Sequence, residues 1–181
     1  MFKILNRQKG AITLSEMLVV VAIIGILAAV MLINYPATKK QLAFQRAASK
    51  LVQDIRRAQE MAMAAEEVSG SVPAGGYGIY LTTDSQTSYI LFADQGSPPN
   101  YRYGSGEQIG SNINFESGVK IKTLDADYVN IVFVPPDPTV YLTDGSGGDL
   151  GNQISIIISL IDDTTKTKTI TVNKAGLITV Q

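Results

Sequence analysis

The segment that decides the fold is K-G-A-I-T-L-S-E-M-L-V-V-V-A-I-I-G-I-L-A-A-V, residues 9–30. From Ala11 to Ile33 it carries a single charge, Glu16. The seventeen uncharged residues Met17–Ile33 would form a helix about 26 Å long, close to the ~30 Å hydrocarbon core of a bilayer. The pattern therefore predicts a membrane-spanning helix over about residues 12–34. Its carboxylate needs an explanation, because an acid near the middle of a span costs roughly 2.5 to 3.5 kcal/mol.

The residues before this segment are basic. Lys3, Arg7 and Lys9 occur in the first ten residues without an acidic residue, which is typical of a targeting or topogenic segment whose basic end stays in the cytoplasm. A secretory signal peptide has a shorter apolar region that ends at a small-residue cleavage site. Ala28 and Ala29 lie inside the apolar run, so a signal peptide fits poorly.

A helical pattern continues beyond the apolar run. Gly25 and Pro36 are predicted to kink or loosen the helix. Beyond them, apolar residues recur at spacings of three and four along one seam: Phe44, Ala48, Leu51, Ile55, Ala58, Ala62 and Ala65. A helix from Thr13 to Glu67 would be about 80 Å long, too long for a domain of this size to cover. We therefore expect lipid or other copies of the chain to cover its first half.

After S-G-S-V-P-A-G-G, residues 69–76, the pattern changes to short apolar runs separated by turn residues. It predicts antiparallel strands, with turns at Asp162–Thr165 and Asn173–Gly176 that leave a C-terminal meander. The run Ile154–Leu160 is expected to be buried on both faces, between the helix seam and a second sheet. The predicted strands are Gly78–Leu81, Tyr89–Ala93, Val119–Thr123, Val129–Val134, Thr139–Leu142, Ile154–Ile161, Lys168–Val172 and Leu177–Val180.

The predicted fold class is α+β, with a long N-terminal helix packed on an antiparallel, two-sheet C-terminal domain. Its predicted regions are a basic leader over residues 1–11, the helix over 12–67 and a soluble β-rich domain over 68–181.

Composition excludes several kinds of chemistry. The chain has no cysteine and no histidine, which excludes disulfides and catalytic triads of the Ser-His-Asp or Cys-His kind. Residues 68–181 contain six basic and eleven acidic residues, a net charge of −5. This domain is therefore not expected to bind nucleic acid through its net charge. Two carboxylate pairs, Asp125 with Asp127 and Asp162 with Asp163, fit solvated turns better than acid–base catalysis. We predict neither an enzyme nor a cofactor.

One loop offers oxygen ligands for a metal ion. T-D-G-S-G-G-D-L-G-N, residues 143–152, contains Asp144, Asp149 and Asn152, which carry donors of the kind that calcium prefers. The spacing matches no EF-hand, and Asp-Gly and Gly-Gly are ordinary turn sequences. An ordinary turn is therefore favoured over a calcium site, and no metal is predicted.

The order K-G-A, I-T-L-S-E and M-L-V-V-V-A-I-I-G-I-L-A-A-V resembles the type IV prepilin and pseudopilin family. The resemblance implies a pilin fold, and a peptidase and methyltransferase of the inner membrane that removes the basic leader and methylates the new N-terminal amine. It also implies storage in the bacterial inner membrane as a single-pass protein with a cytoplasmic N-terminus. Assembly with other pilin or pseudopilin subunits would follow at an inner-membrane platform, giving an extracytoplasmic or cell-surface filament.

The resemblance also implies the cleavage site. In the family the glutamate is the fifth residue of the product, which makes Ile12 the first mature residue and the site of N-methylation, with the cut between Ala11 and Ile12. The family usually has glycine before the cut, so a cut after Gly10 is the alternative. Glu16 would then neutralise the new amine of a neighbouring subunit and set the register between subunits.

Looser patterns resemble the H-type minor pseudopilins, among them Q-R-A-A-S-K-L-V-Q-D-I-R-R-A-Q-E-M-A-M and the closing T-I-T-V-N-K-A-G-L-I-T-V. Some relatives of this type bind DNA through C-terminal basic residues, and here only Lys166, Lys168 and Lys174 could serve. A major pilin remains an alternative. So does a monomeric, single-pass, membrane-anchored binding domain or enzyme, for which the N-terminus would stay uncut.

Overall fold

The computed structural model describes residues 12–136 and 139–181, and the backbone alone for residues 32–37. Within these residues it contains one helix and nine strands, which confirms the predicted α+β class. The elements are α1 (Leu14–Met63), β1 (Gly76–Thr82), β2 (Ser88–Asp94), β3 (Ile113–Asn114), β4 (Val119–Leu124), β5 (Tyr128–Val134), β6 (Thr139–Thr143), β7 (Gln153–Leu160), β8 (Thr167–Asn173) and β9 (Ile178–Val180).

The strands form two antiparallel sheets. One has five strands in the order β3-β2-β1-β5-β6, and the other has four in the order β4-β7-β8-β9. The second sheet contains the predicted C-terminal meander of β7, β8 and β9. Strand ends lie within two residues of the predicted ones. The two-residue strand β3 was not predicted, because a pair of residues carries no periodicity.

The chain divides after Lys39 into two compact units, and the division lies inside α1. Residues 40–63 of α1 therefore belong with the two sheets. The predicted seam of α1 is buried from Phe44 to Ala62, where it shares one hydrophobic core with residues of both sheets. Leu51 and Ile55 are fully buried against this core. Burial of the seam, rather than helix propensity, is what holds this part of α1 in place.

Strand β7 differs from the prediction of burial on both faces. Ile154, Ile156 and Ile158 are buried, whereas Ser155 and Ile157 are only half-buried. The run of isoleucines therefore faces the core on alternate residues, and the opposite face of β7 is half-buried at Ser155 and Ile157 and buried only at Ser159. The run suggested two-sided burial because Ile157 interrupts the alternation of apolar and polar residues.

Helix α1 ends at Met63, earlier than the predicted Glu67. The amide of Ala65 donates to the carbonyl of Ala62 at 3.1 Å, and the amide of Glu66 donates to that of Met61 at 3.1 Å. These two bonds form a Schellman motif, in which the residue after the cap adopts a left-handed conformation. Ala65 has a φ of 45°, a conformation that suits glycine better than alanine. The helix therefore ends in a Schellman motif that has alanine, rather than the usual glycine, at the left-handed position.

We expect Ala65→Gly to raise the free energy of unfolding by about 0.5–1 kcal/mol. Glycine removes the strain of the left-handed conformation, but it also increases the conformational entropy of the unfolded chain, which offsets part of that stabilisation. Thermal unfolding of the full chain in detergent would measure the change. Ala64→Gly is the matched control, since Ala64 neighbours the cap and its φ does not lie in the left-handed region. A melting temperature lowered equally by both substitutions would contradict this account of the helix end.

The loop of residues 95–112, between β2 and β3, lies against the face of the five-stranded sheet that points away from α1. Buried Asp94 accepts hydrogen bonds from the amides of Gly96 (3.0 Å), Asn100 (3.0 Å) and Tyr101 (2.7 Å). Buried Asn130 on β5 accepts one from the amide of Tyr103 at 2.9 Å. The side chains of Asp94 and Asn130 therefore hold the backbone of this loop against the sheet.

Candidate functional site

Helix α1 begins at a side-chain cap. The amide of Glu16 donates to Thr13 Oγ1 at 3.3 Å, and the amide of Met17 donates to the Thr13 carbonyl at 3.2 Å. The Ser15 hydroxyl lies 3.1 Å from that of Thr13. Thr13-x-x-Glu16 is the sequence of a capping box, a signal that the prediction of the helix did not use. It places Glu16 in the first turn, where the helix dipole favours a negative charge.

Glu16 has no charged partner among residues 12–136 and 139–181. The ion pairs described there join Lys40 with Asp162, Lys166 with Asp163 and Lys174 with Asp149. Next to the cap, Ile12 is 69% exposed. A partner for this carboxylate would therefore have to come from outside the described part of the chain.

The first part of α1 is apolar and uncovered. All residues from Ile12 to Met31 are exposed. Leu14–Met31, 18 residues, is long and apolar enough to cross a membrane by length and composition. In water such a surface would carry a large hydrophobic cost, since burying one large aliphatic side chain contributes about 1.5–3 kcal/mol.

Residues 6–32 match the family model for the prokaryotic N-terminal methylation motif. The chain carries a type IV pilin-like N-terminus. The match covers the end of the basic leader, the cap and the apolar start of α1, which is 27 of the 181 residues. The comparisons with curated proteins and with solved structures give no match. The pilin-like motif supports a precursor of the type IV pilin or pseudopilin kind, and the family that has it is structural rather than catalytic.

The pilin-like motif and the apolar helix together support membrane anchoring, and the motif implies processing by a prepilin peptidase and assembly with other pilins. Of the predicted cleavage residues, Gly10 and Ala11 lie outside the described residues, and Ile12 directly precedes the capping Thr13.

The two predicted kink residues lie inside α1, which is helical without a break from Leu14 to Met63. A Cβ atom built on Gly25 would meet no atom within 4 Å. The packing of a single chain therefore does not require glycine at this position. A kink at Gly25 and Pro36 stays a prediction.

Two of the three candidate calcium ligands, Asp144 and Asp149, are engaged by the protein itself. Asp144 accepts hydrogen bonds from the hydroxyl and amide of Ser146 and from the amide of Gly148, which together lower the pKa of its carboxyl. Asp149 lies 2.6 Å from Lys174 Nζ, and this contact lowers its pKa. Over the described residues, no group of three or more acidic side chains is arranged to hold a metal ion. The backbone carbonyl of Asn152 accepts from the amide of Lys174.

Two of the three lysines considered for nucleic-acid binding form ion pairs. Lys174 pairs with Asp149, and Lys166 Nζ lies 3.6 Å from Asp163, while Lys168 is half-buried on β8.

The two acidic pairs considered for catalysis, Asp125 with Asp127 and Asp162 with Asp163, form contacts within the chain. Asp125 accepts from the amide of Ser155 at 2.7 Å, and Asp162 pairs with Lys40 at 2.6 Å. Asp125 and Asp162 therefore each have a structural partner in the chain.

Proposed function

We propose that this chain is a prepilin-type structural subunit that is cut between Ala11 and Ile12, N-methylated at Ile12 and assembled into a type IV pilus or type II secretion pseudopilus. The observation that carries the proposal is the N-terminal helix. Its first part matches the methylation motif, is exposed from Ile12 to Met31, and bears one carboxylate without a charged partner in the described chain.

The exposed apolar surface of such a subunit would be covered by different partners before and after assembly. Lipid covers it while the subunit is stored in the inner membrane, and the helices of neighbouring subunits replace the lipid during assembly. Each subunit would contact the next through two different surfaces, and a contact of this heterologous kind continues into an open helical filament. The folded unit from Lys40 onward would form the outside of that filament.

Cleavage would give Glu16 its partner. The cut creates a cationic amine at Ile12 inside the apolar layer, where an isolated charge is expensive. Glu16 of one subunit would neutralise the amine of its neighbour, so that two costly charges become one ion pair. Loss of either partner leaves an uncompensated charge, which costs more than the pair contributes. The pair therefore selects the correct stagger between subunits.

Within this class we propose a minor subunit of the H type, on the basis of its sequence patterns in residues 45–63 and 169–180. A major pilin is the alternative role. Quantification of the subunit in sheared filaments separates the two, since a minor subunit is a small fraction of the filament protein and a major pilin is most of it.

Mass spectrometry of the N-terminus of the protein from its native cells tests the proposal. We expect N-methylated Ile12 as the first residue, because the leader ends at Ala11 in the favoured alignment. An N-terminal Ala11 would move the cut to Gly10 and leave the class of protein unchanged. An intact leader that begins at Met1 would contradict the proposal and favour a monomeric membrane-anchored domain.

A further inference from the structure

Strand β9 forms one edge of the four-stranded sheet. Beside it, Thr169 and Gln181 exchange two backbone hydrogen bonds of 3.0 Å. In an antiparallel pair, such exchanges recur at every second residue, and the residues between them direct their backbone groups to the opposite side. The amides and carbonyls of Ile178 and Val180 therefore point away from β8. Among residues 12–136 and 139–181, these groups have no hydrogen-bond partner.

The other three sheet edges of the described chain are protected against pairing with a further strand. Strand β3 is only two residues long. Strand β4 is interrupted by a bulge between Ile121 and Thr123, and the Ile121 amide donates to the Gln86 carbonyl at 2.7 Å. Strand β6 is covered where the Leu150 amide donates to the Leu142 carbonyl at 2.8 Å. Short strands, bulges and covering loops are the usual means by which proteins block an edge.

Strand β9 has none of these features. The ladder that contains it spans residues 177–181 without a bulge, and these five residues include neither a proline nor a charged side chain. Leu177 and Val180 are 59% and 42% exposed. An apolar edge with free backbone groups is a template for a further strand. A strand from outside the described chain would satisfy these groups.

The free edge of β9 borders a groove along one flank of α1. Two cavities of about 430 and 260 Å³ lie between the helix and the strand. At about 100° per residue, the exposed α1 residues of these cavities point about 80–160° away from Ile55 in the buried seam. We call this surface the edge groove. Its lining includes Val52, Gln53, Arg56, Met63, Ile178 and Val180.

Polar side chains in the edge groove are not used by the chain itself. Gln59 is half-buried, and a Cβ atom built on Gly176 would lie 2.9 Å from its Nε2 atom, so the Gln59 amide reaches the turn before β9. Neither Gln59, Gln53 nor Arg56 forms a side-chain hydrogen bond or an ion pair with the described residues. Amide and guanidinium groups can donate to the carbonyls of an extended backbone. The groove therefore offers hydrogen-bond donors to such a backbone from both α1 and β9.

We propose that an extended segment of a different pilin-type subunit adds to the four-stranded sheet at β9 and lies in the edge groove. Its backbone would exchange hydrogen bonds with Ile178 and Val180, while its alternate side chains, which are apolar, would contact Val52 and Met63. This inference rests on the proposed function, in which subunits pack through α1. The edge groove runs along α1, so a subunit that packs on this helix reaches it. A minor subunit is surrounded by chains other than its own, so the occupant is a different subunit.

Proline in the free edge of β9 tests the contact in the full chain. The Val180 amide points outward, so Val180→Pro removes one donor for the incoming strand and keeps the bonds between β8 and β9. The proline ring also occupies the space of that strand. We expect the recovery of this variant in sheared filaments to fall at least about fivefold, with normal leader removal. Its melting temperature in detergent should stay within about 2 °C of the wild-type value.

Ser105→Pro is the matched control. Ser105 is exposed, its amide forms no hydrogen bond with the described residues, and it does not line the edge groove. It follows Gly104 in a turn that the Glu107 amide closes with the Gly104 carbonyl at 3.3 Å, a position that favours proline. Recovery of this variant should be unchanged. Wild-type recovery of Val180→Pro, or an equal loss for both variants, would overturn the inference.

A photo-cross-link gives an independent test that does not depend on the stability of a proline variant. In the full chain, p-benzoylphenylalanine replaces Gln53 in the edge groove or, as a control, the exposed Glu116 outside it. In filaments whose subunits begin at Ile12, we expect the Gln53 variant to capture a peptide of another subunit that carries the methylation motif, identified by mass spectrometry. The Glu116 variant should not capture this peptide. No adduct, or an adduct with a second copy of this chain, would overturn the inference and leave the proposed function standing. An uncut leader in the same sample would overturn both.

Discussion

Glu16→Ala is expected to leave leader removal intact and to lower the amount of subunit recovered in sheared filaments at least tenfold. Removal of one partner from a buried ion pair typically costs about 3–5 kcal/mol, and each ~1.4 kcal/mol corresponds to a factor of ten. The uncompensated charge would be the new amine at Ile12. Glu60→Ala is the matched control, since Glu60 is an exposed glutamate on the same helix.

Glu16→Gln separates two roles that this residue combines. Glutamine has the same size and can complete a capping box as glutamate does, but it cannot neutralise an amine. We expect this variant to assemble as poorly as Glu16→Ala. Normal incorporation of Glu16→Gln into filaments would show that Glu16 acts as a helix cap, and the proposed register mechanism would be wrong.

Asp94→Ala is expected to lower the free energy of unfolding by about 3 kcal/mol or more. Asp94 is fully buried, and its carboxylate accepts hydrogen bonds from three backbone amides of the loop of residues 95–112. An unsatisfied buried donor costs about 1–3 kcal/mol. At about 2–4 °C per kcal/mol for a chain of this size, the melting temperature should fall by about 6–12 °C.

Near-ultraviolet circular dichroism of the full chain in detergent would follow this unfolding through the buried tyrosines. Glu116→Ala is the control, because Glu116 is exposed and its side chain forms no hydrogen bond or ion pair with the described residues. Substitution of such a side chain usually changes stability by less than about 0.5 kcal/mol. Equal melting temperatures for Asp94→Ala and Glu116→Ala would mean that the loop does not depend on the Asp94 carboxylate.

The elements that the sequence predicted correctly are those with a strong local period. The seam from Phe44 to Ala62 repeats every three or four residues, which only a helix with one buried face explains. The strands of β-branched residues are bounded by turn residues such as those of Asn173–Gly176, where the Asn173 side chain accepts from the amides of Ala175 and Leu177. These features depend on neighbours in sequence, so they can be read from sequence.

The features that the sequence did not predict depend on residues that are far apart in the chain. In the sequence Asp94 is an ordinary aspartate at the end of a strand, and its amide partners are brought to it only when the loop folds. The edge groove lies between Arg56 of α1 and Val180 of β9, which are far apart in the chain. The left-handed Ala65 contradicts local preference, because packing at the end of α1 outweighs it. The proposed partner of Glu16 lies in another molecule, where only the resemblance to a family could indicate it.

The way in which the loop of residues 95–112 is attached has a consequence for how this protein can evolve. The side chains of Asp94 and Asn130 accept hydrogen bonds from its backbone amides. Every residue except proline has such an amide. Outward side chains such as that of Ser105 take no part in this attachment. Substitutions at those outward positions would therefore accumulate freely, so that lineages could present different outer surfaces on an unchanged fold.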